Sequence, residues 1–189
     1  MRISLVLTTA LMGLIIIGII YSPISFFAAA AETAPQPEYV IKAAYLYNFA
    51  MFVEWPPETF PKPDSPVVIG ILGREPFGPA LENTIQSKRI NGRPFVIRHY
   101  QKGKSIGNCH ILFVSSGTQE SVAELRAKLK DKAVLIVGET PGFAQDGGNI
   151  NLVVEDGKVK CEINLNAAKE SELKISSKLL SLSRIVNGS

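Results

Sequence analysis

The sequence predicts an α/β domain: a mixed sheet of about six strands with helices packed on its faces, including one β-hairpin. Between residues 67 and 138, short apolar runs alternate with helical stretches, the order that builds strand–helix–strand units. Further on, two alternating segments flank Asp156-Gly157, the strongest short-range hairpin signal in the chain. Size agrees, since 189 residues with 46% hydrophobic side chains can bury one substantial core and do not suit a disordered chain.

Residues 1–31 have the layout of a secretory signal peptide. Arg2 is followed by the apolar run "LVLTTALMGLIIIGII" over residues 5–20, then Pro23, then an Ala-x-Ala site among residues 28–31. Cleavage leaves residues 32–189 as a single exported α/β domain. The competing reading is an uncleaved anchor, because no charge appears between Arg2 and Glu32. Both readings place the domain outside the cytoplasm.

The next segment, "YVIKAAYLYNFAMFVEWPP", reads as a helix over residues 39–55 ended by two prolines. Tyr39, Ala43, Tyr47 and Ala50 form one apolar stripe and Ile41, Tyr45, Phe49 and Phe52 another, with Lys42, Asn48 and Glu54 as the polar breaks. A helix this apolar needs cover on most of its circumference. One face is expected on the sheet and another against the C-terminal helix or a second protein chain. Membrane burial is disfavoured, because spanning needs roughly 20 apolar residues.

Beyond Pro57, "VVIGILG" is a strand, and "FGPALENTIQSK" is a short helix with Pro79 in its first turn. "RPFVIRHY" and "CHILFV" are strands, "TQESVAELRAKLK" is an amphipathic helix capped by Thr118, and "AVLIVG" is a buried strand. After the hairpin come a short helix from Asn166, an extended piece over residues 173–175 and a last helix beginning after Ser176.

Net charge is +3 with basic residues dispersed, so the footprint of a nucleic-acid binder is missing. The turn in "ILGREPFGPALE", with Arg74, can hold an anion on backbone N–H groups, but it lacks Walker or dinucleotide spacing and reads better as an ordinary strand–helix turn. His99, His110, Cys109 and Cys161 lack the paired spacing of a metal site, and Cys109 and His110 point to opposite faces. No G-x-S-x-G elbow occurs. No catalytic residue, metal or cofactor is expected. Lys88, Arg89, Arg93, Arg98 and His99 straddle the turn "NGRP" as a basic cluster. Arg89, Arg93 and Arg98 are the candidate contacts to a phosphate- or carboxylate-bearing ligand, against the reading of solvated surface charge.

Trp55 is either a plug locking the first helix to the sheet or a partner anchor. In "ETPGFAQDGGNIN" the two adjacent glycines suggest close backbone approach, and Phe143 is either folded onto the core or presented to a partner. Leu173 and Ile175 of "ELKIS" are the remaining partner-binding candidates. In an oxidising compartment Cys109 and Cys161 can pair, or each can be a small buried core residue.

"KAAYLYNFAMFVEWP", "IGILGREPFG", "CHILFVS", "GGNINLVVEDGKVKCEINL" and "KISSKLLSLSRIV" occur in the order seen in the YfiR-like family, which the chain resembles from about residue 40 to residue 186. The resemblance implies a periplasmic repressor that binds the periplasmic sensor region of an inner-membrane diguanylate cyclase and lowers cyclic-di-GMP signalling and biofilm formation. Further partners are an outer-membrane lipoprotein, a small ligand and a second copy of the chain. The chain departs from its relatives at Met51, where many carry Lys or Arg, and two cysteines allow at most one disulfide where characterised relatives have two. The alternative from a different class is a periplasmic solute- or nucleotide-binding receptor with a preformed pocket.

Overall fold

Three short strands, over residues 67–72, 111–114 and 135–138, are apolar and buried along their whole length, and they set the centre of the architecture. A computed structural model describes residues 36–188. The expected signal peptide, residues 1–31, lies outside the described residues.

The first helix, α1 (Pro37–Phe52), starts on a proline at its first turn, where a missing N–H costs nothing, and turns Ala43, Leu46, Phe49 and Ala50 into the core. It stops short of the expected residue 55. Val53 and Glu54 leave the helix as β1 (Val53–Glu54), and Trp55 precedes Pro56, which disfavours helical backbone. Among the described residues no helix is long and apolar enough to cross a membrane.

The chain then forms β2 (Val67–Leu72), α2 (Pro79–Ile85), β3 (Arg89–Ile90), β4 (Arg93–Tyr100), β5 (Ile111–Val114), α3 (Val122–Lys128) and β6 (Leu135–Gly138). It closes with β7 (Ile150–Glu155), β8 (Lys158–Asn164), α4 (Leu165–Glu170), β9 (Lys174–Ile175), α5 (Ser177–Ser181) and β10 (Arg184–Val186). The main sheet has eight strands in the order β10-β8-β7-β6-β5-β2-β4-β3, and β1 pairs with β9 in a separate two-stranded sheet. From β4 to β7 the strands run parallel, β7 and β8 form the expected hairpin, and β10 adds in parallel to β8. At the hairpin tip Asp156 and Gly157 have φ of 52° and 70°, the left-handed pair a two-residue primed turn needs.

Two additions raise the strand number above about six, the expectation drawn from strand-forming runs alone. Arg89–Ile90 folds back on β4 through Asn91-Gly92, and Arg184–Val186, expected within the last helix, pairs with residues 162–164. The last helix is therefore one turn and a half, and Arg184 is drawn to Glu155 and Glu162 on the neighbouring hairpin.

Alternation along the strands divides two cores. Ile69, Ile71, Ile111, Phe113, Leu135 and Val137 face α1 and α2, while Val68, Leu72, Leu112, Val114 and Ile136 face α3. Helix α3 is capped by Ser121 and not by Thr118: Ser121 Oγ accepts from Glu124 N, the Glu124 carboxylate accepts from Ser121 N, and Thr118 Oγ1 instead donates to the Leu72 carbonyl. Asn164, not Asn166, begins α4, its side chain accepting from Ala167 N.

Candidate functional site

The exit of α1 and the C-terminal segment meet in the small sheet. Val53 lies opposite Ile175, Glu54 opposite Lys174, and Ser176 N donates to the Phe52 carbonyl at 2.9 Å. Helix α5 then packs beside α1, with Lys178 Nζ 5.0 Å from the centre of the Phe52 ring. Residues 51–55 and 174–182 thus form one surface, though 120 positions separate Glu54 from Lys174 along the chain.

That surface continues along the outer face of α1, where Val40, Ala44, Tyr47 and Met51 follow a helical i, i+4, i+7, i+11 spacing. Val40 is 46% exposed, Ile41 45%, Met51 42% and Leu182, at the end of α5, 74%. The helix is apolar on both sides for two reasons: its inner line packs on the sheet, and on its outer line Tyr47 leans on Phe95, 5.8 Å between ring centroids, while Val40, Ala44 and Met51 stay exposed.

Polar anchoring sets the position of α1. Lys42 is buried beneath it, its Nζ 2.6 Å from Glu139 Oε2 and also paired with Glu38. Glu139 in turn accepts from Ser116 N at 2.7 Å. Burial pulls the Lys42 ammonium down, but hydrogen bonds and charges of Glu139 and Glu38 outweigh it, so the net shift is upward and the lysine stays charged. Tyr39 places its ring edge-on to Phe77, 5.6 Å between centroids.

Two of the four partner-binding candidates prove to be core. Phe143 is 6% exposed and folds over two glycines: a Cβ on Gly138 would sit 2.2 Å from its Cγ, and one on Gly148 2.3 Å from its Cδ1. Leu173 is 4% exposed within the α1-side core. Ile175 is half-buried opposite Val53, and Trp55 is half-buried with its Nε1 donating to the His110 carbonyl at 3.2 Å. Trp55 thereby fastens the end of α1 to the entry of β5.

The three arginines share a hairpin, and two of them spend donors on backbone carbonyls. Arg93 Nη1 donates to the carbonyls of Lys62 and Ser65 at 2.7 and 3.1 Å, and its guanidinium lies 4.1 Å from the Phe60 ring centre, stapling the loop before β2. Arg89 donates to Gly92 O in its own turn. Arg98 is exposed on β4. The turn near Arg74 is satisfied internally, since the Glu75 carboxylate accepts from Phe77 N at 2.6 Å.

Cys109 and Cys161 are free, buried thiols and form no disulfide. Cys161 is on β8 and Cys109 leads into β5, three strand spacings of about 4.8 Å away, or roughly 14 Å. A disulfide needs Cα atoms within about 7 Å. The thiols also lie in different cores, on opposite faces of the sheet. Burial pushes Cys109 up to about 12 and Cys161 to about 11, so both remain protonated.

His110 borders a cavity of about 330 Å³ together with Pro56, Thr59, Cys109, Asp131 and Glu172. Its Nδ1 accepts from Val68 N at 2.9 Å, which places the ring proton on Nε2, and burial lowers its pKa to about 4. Phe60 stacks on the ring at 4.3 Å between centroids. Sequence alone did not single out Lys42 and Glu139 as a pair or the stacked Arg93-Phe60-His110 series; each joins residues far apart in the chain.

Among the described residues no three His, Cys, Asp or Glu side chains cluster closely enough to hold a metal ion. The surface presents apolar side chains on rigid elements, suited to docking a protein. Comparison with curated proteins finds no match. Comparison with protein families gives a match over residues 39–184, from Tyr39 of α1 to Arg184 of β10, and thus nearly every described element. The chain belongs to the YfiR/HmsC-like family.

Proposed function

We propose that this protein is a periplasmic regulatory binding protein that restrains an inner-membrane diguanylate cyclase by docking on its periplasmic sensor region, thereby lowering cyclic-di-GMP output and biofilm formation. Family membership supplies the class of role, and the apolar run over residues 5–20 supplies the route of export. The single observation that supports the docking step is the outer α1 face, with Val40, Ile41 and Met51 exposed along it and Leu182 exposed at the end of α5, the helix that packs on α1. Large exposed apolar side chains grouped on packed elements mark surfaces that a partner covers.

Capture from solubilised membranes tests the proposal. The wild-type chain is expected to retain a diguanylate cyclase, and Met51→Glu combined with Leu182→Glu to release it, at a cost of about 2 kcal/mol or more of binding. Both side chains are exposed, so thermal unfolding of the double variant should match wild type. Retention of the cyclase by a folded double variant contradicts the assigned surface, and capture of no cyclase by wild type contradicts the function.

A second reading, a receptor for a small periplasmic solute, is favoured by the cavity beside His110, where the buried Nε2 has no hydrogen-bond partner. Its mark is a thermal midpoint that rises on adding the solute.

A further inference from the structure

Between residues 83 and 119 the chain carries six Lys and Arg side chains and no Asp or Glu, although the whole protein nets only +3. This segment includes β4, next to last in the main sheet. On its inner side β4 pairs with β2 throughout residues 95–100, and Tyr100 O accepts from Gly73 N. In a parallel ladder a residue directs its N–H and C=O to the same neighbour, and alternate residues face opposite ways. Val96, Arg98 and Tyr100 therefore bond inward, and Phe95, Ile97 and His99 direct their backbone groups outward. The outer partner, β3, reaches only Arg93 and Pro94 before the chain turns away into α2, where Lys88 N donates to Ile85 O. Among the described residues, no backbone group pairs with the outer side of Phe95, Ile97 or His99.

An open edge is a template for another strand, and natural sheets blunt such edges with cations. Here the cations select the visitor. Two copies of this chain meeting edge to edge would bring twelve cations together, while Arg98 on the strand and Lys88, Arg89, Lys102 and Lys104 at its ends attract carboxylates. Glu75 already approaches His99 Nδ1 at 3.5 Å. We propose that the outer edge of β4 receives an extended, acidic segment of a partner protein as an added strand, paired to the backbone of Phe95, Ile97 and His99. This surface does not include the α1 face and stands whether or not the partner there is a cyclase.

The probe is an end-blocked eight-residue peptide of alternating valine and glutamate, with a control of the same sequence N-methylated on alternate amides so that its charge is kept and its ladder bonds are lost. On the purified protein the first peptide should bind saturably and slow amide exchange of Phe95, Ile97 and His99 roughly tenfold or more, leaving Val96 and Arg98 unchanged. Arg98→Glu with Lys102→Glu, both exposed positions, should weaken binding roughly tenfold with no change in thermal midpoint. Equal binding of the N-methylated control, or binding without protection of those three amides, overturns the proposal in favour of charge adsorption. Protection of the same amides by anionic phospholipid vesicles and not by the peptide assigns the edge to a membrane surface and overturns it as well, as does peptide-free self-association that protects them.

Discussion

His110 accepts a backbone N–H on Nδ1 and stacks against Phe60, so protonating it disrupts both its hydrogen bond and its burial. Its folded pKa, about 4, lies below the ordinary 6.5, so as pH falls the unfolded chain takes up this proton first. The stabilisation is complete above pH 6.5 and is lost progressively between 6.5 and about 4, amounting to up to about 3 kcal/mol. The thermal midpoint of wild type should therefore fall more steeply from pH 7 to pH 4.5 than that of His110→Gln; parallel curves contradict the assignment. The two cysteines give a second check. Held protonated in separate cores, they should resist a thiol reagent in the native protein and react in full once it is unfolded in denaturant without reductant. A thiol count of zero in that denatured sample contradicts the strand order that separates them.

Lys42 and Ser121 show at the element scale how helices are tied to this sheet. Removing the Lys42 side chain with Lys42→Ala strands the buried Glu139 carboxylate, and breaking such a pair costs about 3 to 5 kcal/mol. Ser121→Ala removes one half of an exposed capping box and costs about 1 kcal/mol. Chemical denaturation of the two variants should rank them in that order, and a Lys42→Ala protein as stable as Ser121→Ala contradicts the anchoring role of the pair. Legibility divides the same way. The runs "VVIGIL", "ILFV" and "LIVG" and the Asp156-Gly157 turn announce themselves locally, because their apolar content or turn geometry is a property of neighbouring residues. Arg184–Val186 does not, since its strand identity comes from pairing with residues 162–164. Val53 and Glu54 are the same case, recruited out of α1 by Lys174 and Ile175. The cap of α3 differs from the expected Thr118 although its signal is local: Ser121 and Glu124 have the S-x-x-E spacing, whereas the Thr118 hydroxyl is spent on the Leu72 carbonyl.

For the molecule as a whole, a mixed α/β fold is legible because strand and helix signals alternate, but the strand order is not, and the candidate sites depend on that order. Phe143 and Leu173 are attractive partner residues in a linear reading and core residues in the folded chain. In sequence Met51 reads as the loss of a charge common in relatives that makes the first helix still more apolar; in the fold it is exposed on α1, near the small sheet formed with β9. The outer α1 face is apolar and the β4 edge is cationic, so salt should separate them: binding through α1 should change little between low and high ionic strength, and binding at β4 should weaken. The central claim is that the outer face of α1 is where the regulated membrane protein docks. A photo-crosslinking amino acid placed at Met51 in living cells tests it most directly. The adduct expected is with an inner-membrane protein that carries a diguanylate cyclase domain, and adducts confined to other copies of this chain, or none at all, contradict the account.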